Sequence, residues 1–193
     1  STHCISSAAS DVYKRQDLAQ LRRLLEENHG MYEKIIIVTE SIFSMDGDEA
    51  DLQALVRLKH DYANLLLYVD EAHAFGARGE KGLGCAEEQN CINDIDFLVG
   101  TFGKAAASAG AYIICRQTIR EYLINKMRTF IFTTALPPVN IQWTAWVLKH
   151  FADFRSKREH LLQISRKLKE ALTEKGYNLS LIHISEPTRR TPI

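Results

Sequence analysis

Residues 65–73 read LLLYVDEAH: five apolar or aromatic residues that break onto two acids, an alanine and a histidine. Such a run, with no polar alternation, reads as a strand buried on both faces, the pattern of a parallel sheet. Asp70 then places a carboxylate at a buried strand end, where an unpaired charge is costly, and it calls for a cationic partner. Upstream, DLQALVRLKHDY (51–62) reads as a helix and KIIIVTE (34–40) as another strand buried on both faces, so 34–73 form one βαβ unit. Before it, DLAQLRRLLEENHG (17–30) has apolar residues at 18, 21, 24 and 25, a candidate cap in Asp17 and a stop in Gly30. Downstream, DFLVGTFG (96–103) is a third strand, reached through a Gly-rich loop and a short helix near residues 86–90, and AYIICR (111–116) is a fourth. Only a short turn of small residues separates these two, too few for a parallel crossover, so the last pairing is expected to be antiparallel. Helices are expected at 117–127, 138–152 and 154–175, the last closed by Gly176. The fold class is α/β, a mostly parallel sheet with one antiparallel strand followed by helices.

The 193 residues are 46% hydrophobic, enough for one sizeable core, and 24 basic residues balance 24 acidic ones. That balance gives no field to attract nucleic acid or an anionic membrane surface. No apolar run approaches the roughly 18 residues of a membrane span, and the N-terminus lacks an apolar signal core. A soluble cytoplasmic protein acting on small partners is expected. Cys4, Cys85, Cys91 and Cys115 form neither a CxxC pair nor the Cys/His spacing of a zinc site, so reduced thiols and no metal are expected. The ends differ from the middle: STHCISSAASDVYKRQ (1–16) is Ser-rich without periodicity, and SLIHISEPTRRTPI (180–193) turns from a short apolar run to Pro, Thr and Arg. Both resemble translated library-linker sequence and are read as non-native or disordered tails.

In open α/β sheets, ligands bind beyond the carboxyl ends of the parallel strands. Three such ends carry TESIFSMDGD, VDEAHAFG and TFGKAA, so Asp70, His73, Thr101 and Lys104 are expected to converge, with Ser44 in the loop after the first strand. Lys104 is a lone amine in a run of Gly, Ala and Ser, where small residues allow close backbone approach. A carboxylate, an imidazole, hydroxyls and one isolated amine fit a carbonyl cofactor that forms a Schiff base with lysine and needs its ring nitrogen kept protonated.

At this point the chain resembles a known family. VTESIFSMDGD (38–48), YVDEAHAFG (68–76), GLG (82–84), TFGK (101–104) and FIFTTALPP (130–138) stand in the order found in the α-oxoamine synthases, a branch of the fold-type I pyridoxal-phosphate transferases. Within that family the resemblance is nearest to the biotin-biosynthesis branch and covers about residues 17–179, the middle of a chain about twice this long. It implies a partial cofactor-binding large domain over 17–152 and a helix at 153–179 leading to a small domain outside the chain. It further implies Lys104 as the Schiff-base lysine, Asp70 on the pyridine nitrogen, His73 and Ser44 near the ring's phenolic oxygen, and Thr101 on the phosphate. Thr134 would reach the phosphate site of the other subunit of a homodimer. The implied reaction is a decarboxylative condensation of an amino acid, alanine in that branch, with a pimeloyl thioester of coenzyme A or acyl carrier protein. One departure stands out: where the family has a small and then a bulky apolar residue after the lysine, this chain has Ala105 and Ala106.

Three other readings stay open on the sequence. A sister synthase joining glycine to acetyl-CoA would share the cofactor motifs. A non-catalytic partner subunit is disfavoured by the presence of Lys104. A nucleotide-binding α/β module lacks the GxGxxG fingerprint after its first strand.

Overall fold

A computed structural model describes residues 17–44 and 47–177. The readings of residues 1–16 and 180–193 as tails, and Cys4 with them, lie outside the described residues. The first helix, α1 (Leu18–Asn28), starts where Asp17 accepts a hydrogen bond from the Gln20 amide at 2.8 Å, and α2 (Leu52–Asp61) is capped in the same way by Asp51 and Ala54. The sheet is β1 (Ile35–Glu40), β2 (Leu65–Asp70), β3 (Phe97–Thr101) and β4 (Ala111–Cys115), in that spatial order. β1, β2 and β3 are parallel and β4 is antiparallel to β3, as the short turn at 102–110 requires.

Because the three parallel strands are laid down in sequential order, right-handed crossovers bring every connection over the same face. That face is the main core. Ile35 and Ile37, Leu65, Leu67 and Val69, and Leu98 point into it and meet Leu25 of α1 and Leu52, Leu55, Val56 and Leu58 of α2. The four-residue helix α3 (Cys85–Glu88) adds Cys85 and Ala86 to the same cluster. Burial of β1 on both faces is therefore not found: Ile36 and Val38 are 52% and 68% exposed. The cause is that no described helix covers the opposite face and that β1 lies at the sheet's edge. β2 follows the same alternation in milder form, since its Leu66 and Tyr68 are only half-buried.

A second, smaller cluster joins the sheet to the C-terminal helices. Phe75, Ala106, Val147 and Phe151 are buried together, with Phe102, Tyr112 and Phe154 packed around them. The helices here are α4 (Gln117–Lys126), the single turn α5 (Arg128–Ile131), α6 (Pro138–Lys149) and α7 (Arg155–Glu174), with a 3-10 turn at Phe151–Phe154. The last two expected helices, 138–152 and 154–175, are thus separated by that tighter turn, and Gly176 follows α7 with φ +82°, the left-handed backbone that favours glycine. Arg158 of α7 is buried, stands over the Phe151 ring, and donates to the carbonyls of Phe151 (2.8 Å) and Glu80 (2.7 Å). None of the described helices is long and apolar enough to cross a membrane.

Candidate active site

The parallel strands end together. Glu40, Asp70 and Val99 are in register across β1, β2 and β3, so Asp70 lies at the carboxyl edge on the face shared with Val99 and, two residues further, Thr101. Tyr68, two residues before Asp70 on that face, has its phenol held above its ordinary range by burial first and by the Asp70 charge second. One carboxylate oxygen of Asp70 accepts from the Ala72 amide at 2.7 Å, closing a tight turn into DEAH. None of the lysines and arginines among the described residues forms an ion pair with Asp70.

His73 and Lys104 meet directly: Nε2 and Nζ are 2.9 Å apart across 31 residues of sequence. Lys104 is solvent-exposed in the turn after β3, and His73 is half-buried. Thr101 turns its hydroxyl into that same turn, donating to the Gly110 carbonyl and accepting from the Gly103 amide, both at 3.1 Å. Its side chain thereby shapes the approach to Lys104. The turn is further held by α6, where Trp143 Nε1 donates to the Ala106 carbonyl at 2.9 Å and Thr144 donates to Ser108 at 2.8 Å. Ala105 and Ala106 fit their places: Ala106 is buried in the aromatic cluster, and the Ala105 methyl lies against the backbone of Gly76, where any added Cβ would overlap it. Small side chains at both positions let the turn settle onto the DEAH segment.

The remaining candidates are less closely joined. Ser44 is half-buried in the loop after β1, where its amide donates to the Glu40 carboxylate at 3.3 Å. Thr134 is exposed between α5 and α6, in a segment with Phe132 78% and Val139 69% exposed. Of the residues expected to converge, the structure joins His73 to Lys104 directly and sets Asp70 and Thr101 on the same carboxyl edge of the sheet. Two surface hollows, of about 450 Å³ between α1 and α2 and about 260 Å³ under α7, are lined by other residues. No cluster of metal-ligating side chains occurs among the described residues.

Glu71 is a structural centre that the sequence reading passed over. It is fully buried, and its carboxylate accepts from Ser41 Oγ (2.6 Å), the Cys85 amide (3.0 Å) and the Ala86 amide (2.7 Å). Burial pushes its pKa up, more than these three donors pull it down. A signal was present: residues 65, 67, 69 and 71 share one face of an alternating strand, so Glu71 follows three buried apolar residues inward.

The chain matches the model of the aminotransferase class I and II family over residues 6–188. It is 54% identical over 170 residues to 8-amino-7-oxononanoate synthase of Haemophilus ducreyi, a match covering 86% of this chain and 44% of that protein. Its structure superposes on serine palmitoyltransferase of Sphingomonas wittichii with a TM-score of 0.74 at 33% identity, over 81% of this chain and 40% of the other. On the 8-amino-7-oxononanoate synthase of Francisella tularensis the TM-score is 0.67 at 31% identity, over 80% and 46%. The chain spans less than half the length of the curated relatives it matches.

Proposed function

Because the chain belongs to the aminotransferase class I and II family, we propose that it is part of a pyridoxal-phosphate-dependent acyltransferase that condenses an amino acid with an acyl thioester, releasing carbon dioxide and the thiol. The observation that carries this reading is the contact of 2.9 Å between Lys104 and His73 at the carboxyl ends of parallel strands, on the edge where β2 ends in Asp70. The donor set fits the cofactor: Lys104 would hold its aldehyde carbon, Asp70 its ring nitrogen, His73 and Ser44 its phenolic side, and Thr101 its phosphate. When bound, the cofactor supplies an electron sink for carbanion chemistry at the amino-acid Cα.

The chain's own groups supply charge and position. Asp70 faces the site as a carboxylate and favours a protonated ring nitrogen there. Lys104 and His73 share a proton-bearing contact, which places a base within reach of a Cα proton in the same site. The Gly103–Gly110 turn, fixed by Thr101 and Trp143, limits how far the amine can wander.

The substrates we assign are L-alanine and a pimeloyl thioester, carried by coenzyme A or acyl carrier protein, because the chain is 54% identical over 170 residues to the 8-amino-7-oxononanoate synthase of Haemophilus ducreyi. The superpositions on serine palmitoyltransferase and on the Francisella tularensis synthase, at 33% and 31% identity, do not separate the two branches and fit a cofactor scaffold common to both. A homodimer is the inferred assembly, supported by the exposed apolar residues around Thr134. The test is to graft residues 17–177 into the Haemophilus ducreyi relative in place of its matched segment. Turnover of alanine with pimeloyl-CoA supports the reading. Turnover restricted to glycine with acetyl-CoA would move the assignment to the sister synthase, and none with any pair would refute it.

A further inference from the structure

We propose that Glu71 is a positioning residue of the Lys104 site: it fixes the turn that carries His73 and so holds the imidazole against the lysine amine. The proposal deepens the reading of Lys104 as the cofactor-binding amine and rests on it.

Glu71 reaches four parts of the fold at once. Its side chain ties Ser41, just past β1, to the first two amides of α3. Its amide donates to the Val99 carbonyl of β3 at 2.7 Å, and its carbonyl accepts from Ala74 (2.9 Å) and Phe75 (2.7 Å). The loop before α3 makes room for the carboxylate through Gly84, whose φ is +112° and where an added Cβ would stand 2.5 Å from Glu71 Oε2. Four residues later Phe75 is anchored in the second cluster, stacked on Phe151 at 4.8 Å and edge-on to Tyr112 at 5.1 Å. His73 lies between these two anchors. Phe102, two residues before Lys104, packs on Phe75 at 6.4 Å, so the partners of the His73–Lys104 contact are referenced to one another through the same aromatic group.

An apolar residue at 71 would fill the buried position equally well but would leave three donors without an acceptor, and the Ser41 and Gly84–Ala86 segments would have to rearrange to reach water. The turn would then keep one anchor instead of two. Asp96 provides the contrast. It is also buried, at the start of β3, where it accepts from the Leu67 amide at 2.8 Å and pairs with Lys59 at 2.6 Å, but it does not touch the 71–76 turn. Loss of either carboxylate should loosen the fold, whereas only Glu71 should alter Lys104.

The test is competitive acylation of the 193-residue chain with limiting acetic anhydride, without pyridoxal phosphate, reading the Lys104 to Lys126 labelling ratio by peptide mass mapping. In Glu71→Gln the ratio should rise by about two- to tenfold, the factor that one lost hydrogen bond of ordinary strength represents. Ser41→Ala should move it less in the same direction, and Asp96→Asn should leave it unchanged while lowering the melting temperature. A parent-like ratio in folded Glu71→Gln, or an equal change in Asp96→Asn, would overturn the proposal. Should Glu71→Gln fail to fold, Ser41→Ala decides by the same comparison. Failure of Lys104 to bind pyridoxal phosphate would refute the proposed function and leave this ratio standing.

Discussion

Replacing Gly76 with alanine tests whether the lysine turn is seated on the DEAH segment by close backbone contact. Gly76 has φ +82°, where a side chain costs about 1–2 kcal/mol. The new Cβ would overlap the methyl of Ala105, which is fixed to the backbone and cannot rotate away, and it would stand 3.3 Å from Phe151 Cζ on its other flank. Overpacking of this kind costs about 1–3 kcal/mol, so the variant should be less stable by about 2–5 kcal/mol in urea unfolding followed by circular dichroism. Adding Ala105→Gly removes the overlap but not the backbone strain. The double-mutant cycle should therefore return a favourable coupling of about 1–3 kcal/mol, the overpacking component alone. Additivity of the two substitutions within about 0.5 kcal/mol would refute the reasoning, because it would mean that Gly76 and Ala105 do not compete for the same space.

Burial pushes the Cys85 thiol up to about 12 and the Cys91 thiol up to about 11, so at pH 8 both should resist alkylation in the folded chain while half-buried Cys115 reacts; mass mapping checks the order. The folded-state pKa of Glu71 lies above its ordinary carboxylate value, so the native state holds that proton more tightly than the unfolded chain does. The stability difference between parent and Glu71→Gln should then fall as pH rises from the ordinary carboxylate range to the raised value, and a flat difference in urea unfolding would contradict it. In the grafted Haemophilus ducreyi relative, Asp70→Asn should retain some cofactor but slow exchange of the substrate Cα proton, and unchanged exchange would remove Asp70 from the role. Val38→Lys, on the exposed face of edge strand β1, should raise the monomeric fraction of the chain in size-exclusion chromatography.

The sheet was legible because its signals are local. Three apolar runs separated by long connections give parallel strands, and a turn of Gly, Ala and Ser too short for a crossover gives the antiparallel fourth. The exposure of Ile36 and Val38 was not legible, since KIIIVTE carries the same pattern whether or not a neighbour covers its second face. The single turn α5 escaped because it lies in an apolar stretch with no capping side chain to mark it. At the site, Lys104 stood out against its small neighbours, and Asp70 by ending a buried run. Glu71 did not, because a second acid beside Asp70 reads as part of the same polar strand end until the alternation of 65, 67 and 69 is carried one step further. Nor did Arg158, one of several charges in RSKREH, whose burial depends on the Phe151 and Glu80 carbonyls it meets from distant parts of the chain.

The central claim is that Lys104 is the amine of a pyridoxal-phosphate site organised by His73 and Asp70. The most direct measurement is borohydride reduction of the chain incubated with pyridoxal phosphate, followed by peptide mapping, in the parent and in Lys104→Ala. The account predicts a pyridoxyl label concentrated on Lys104 in the parent and absent from the corresponding peptide of the variant, with no other lysine taking its place. A label spread evenly over the exposed lysines, or total labelling unchanged by Lys104→Ala, would contradict it.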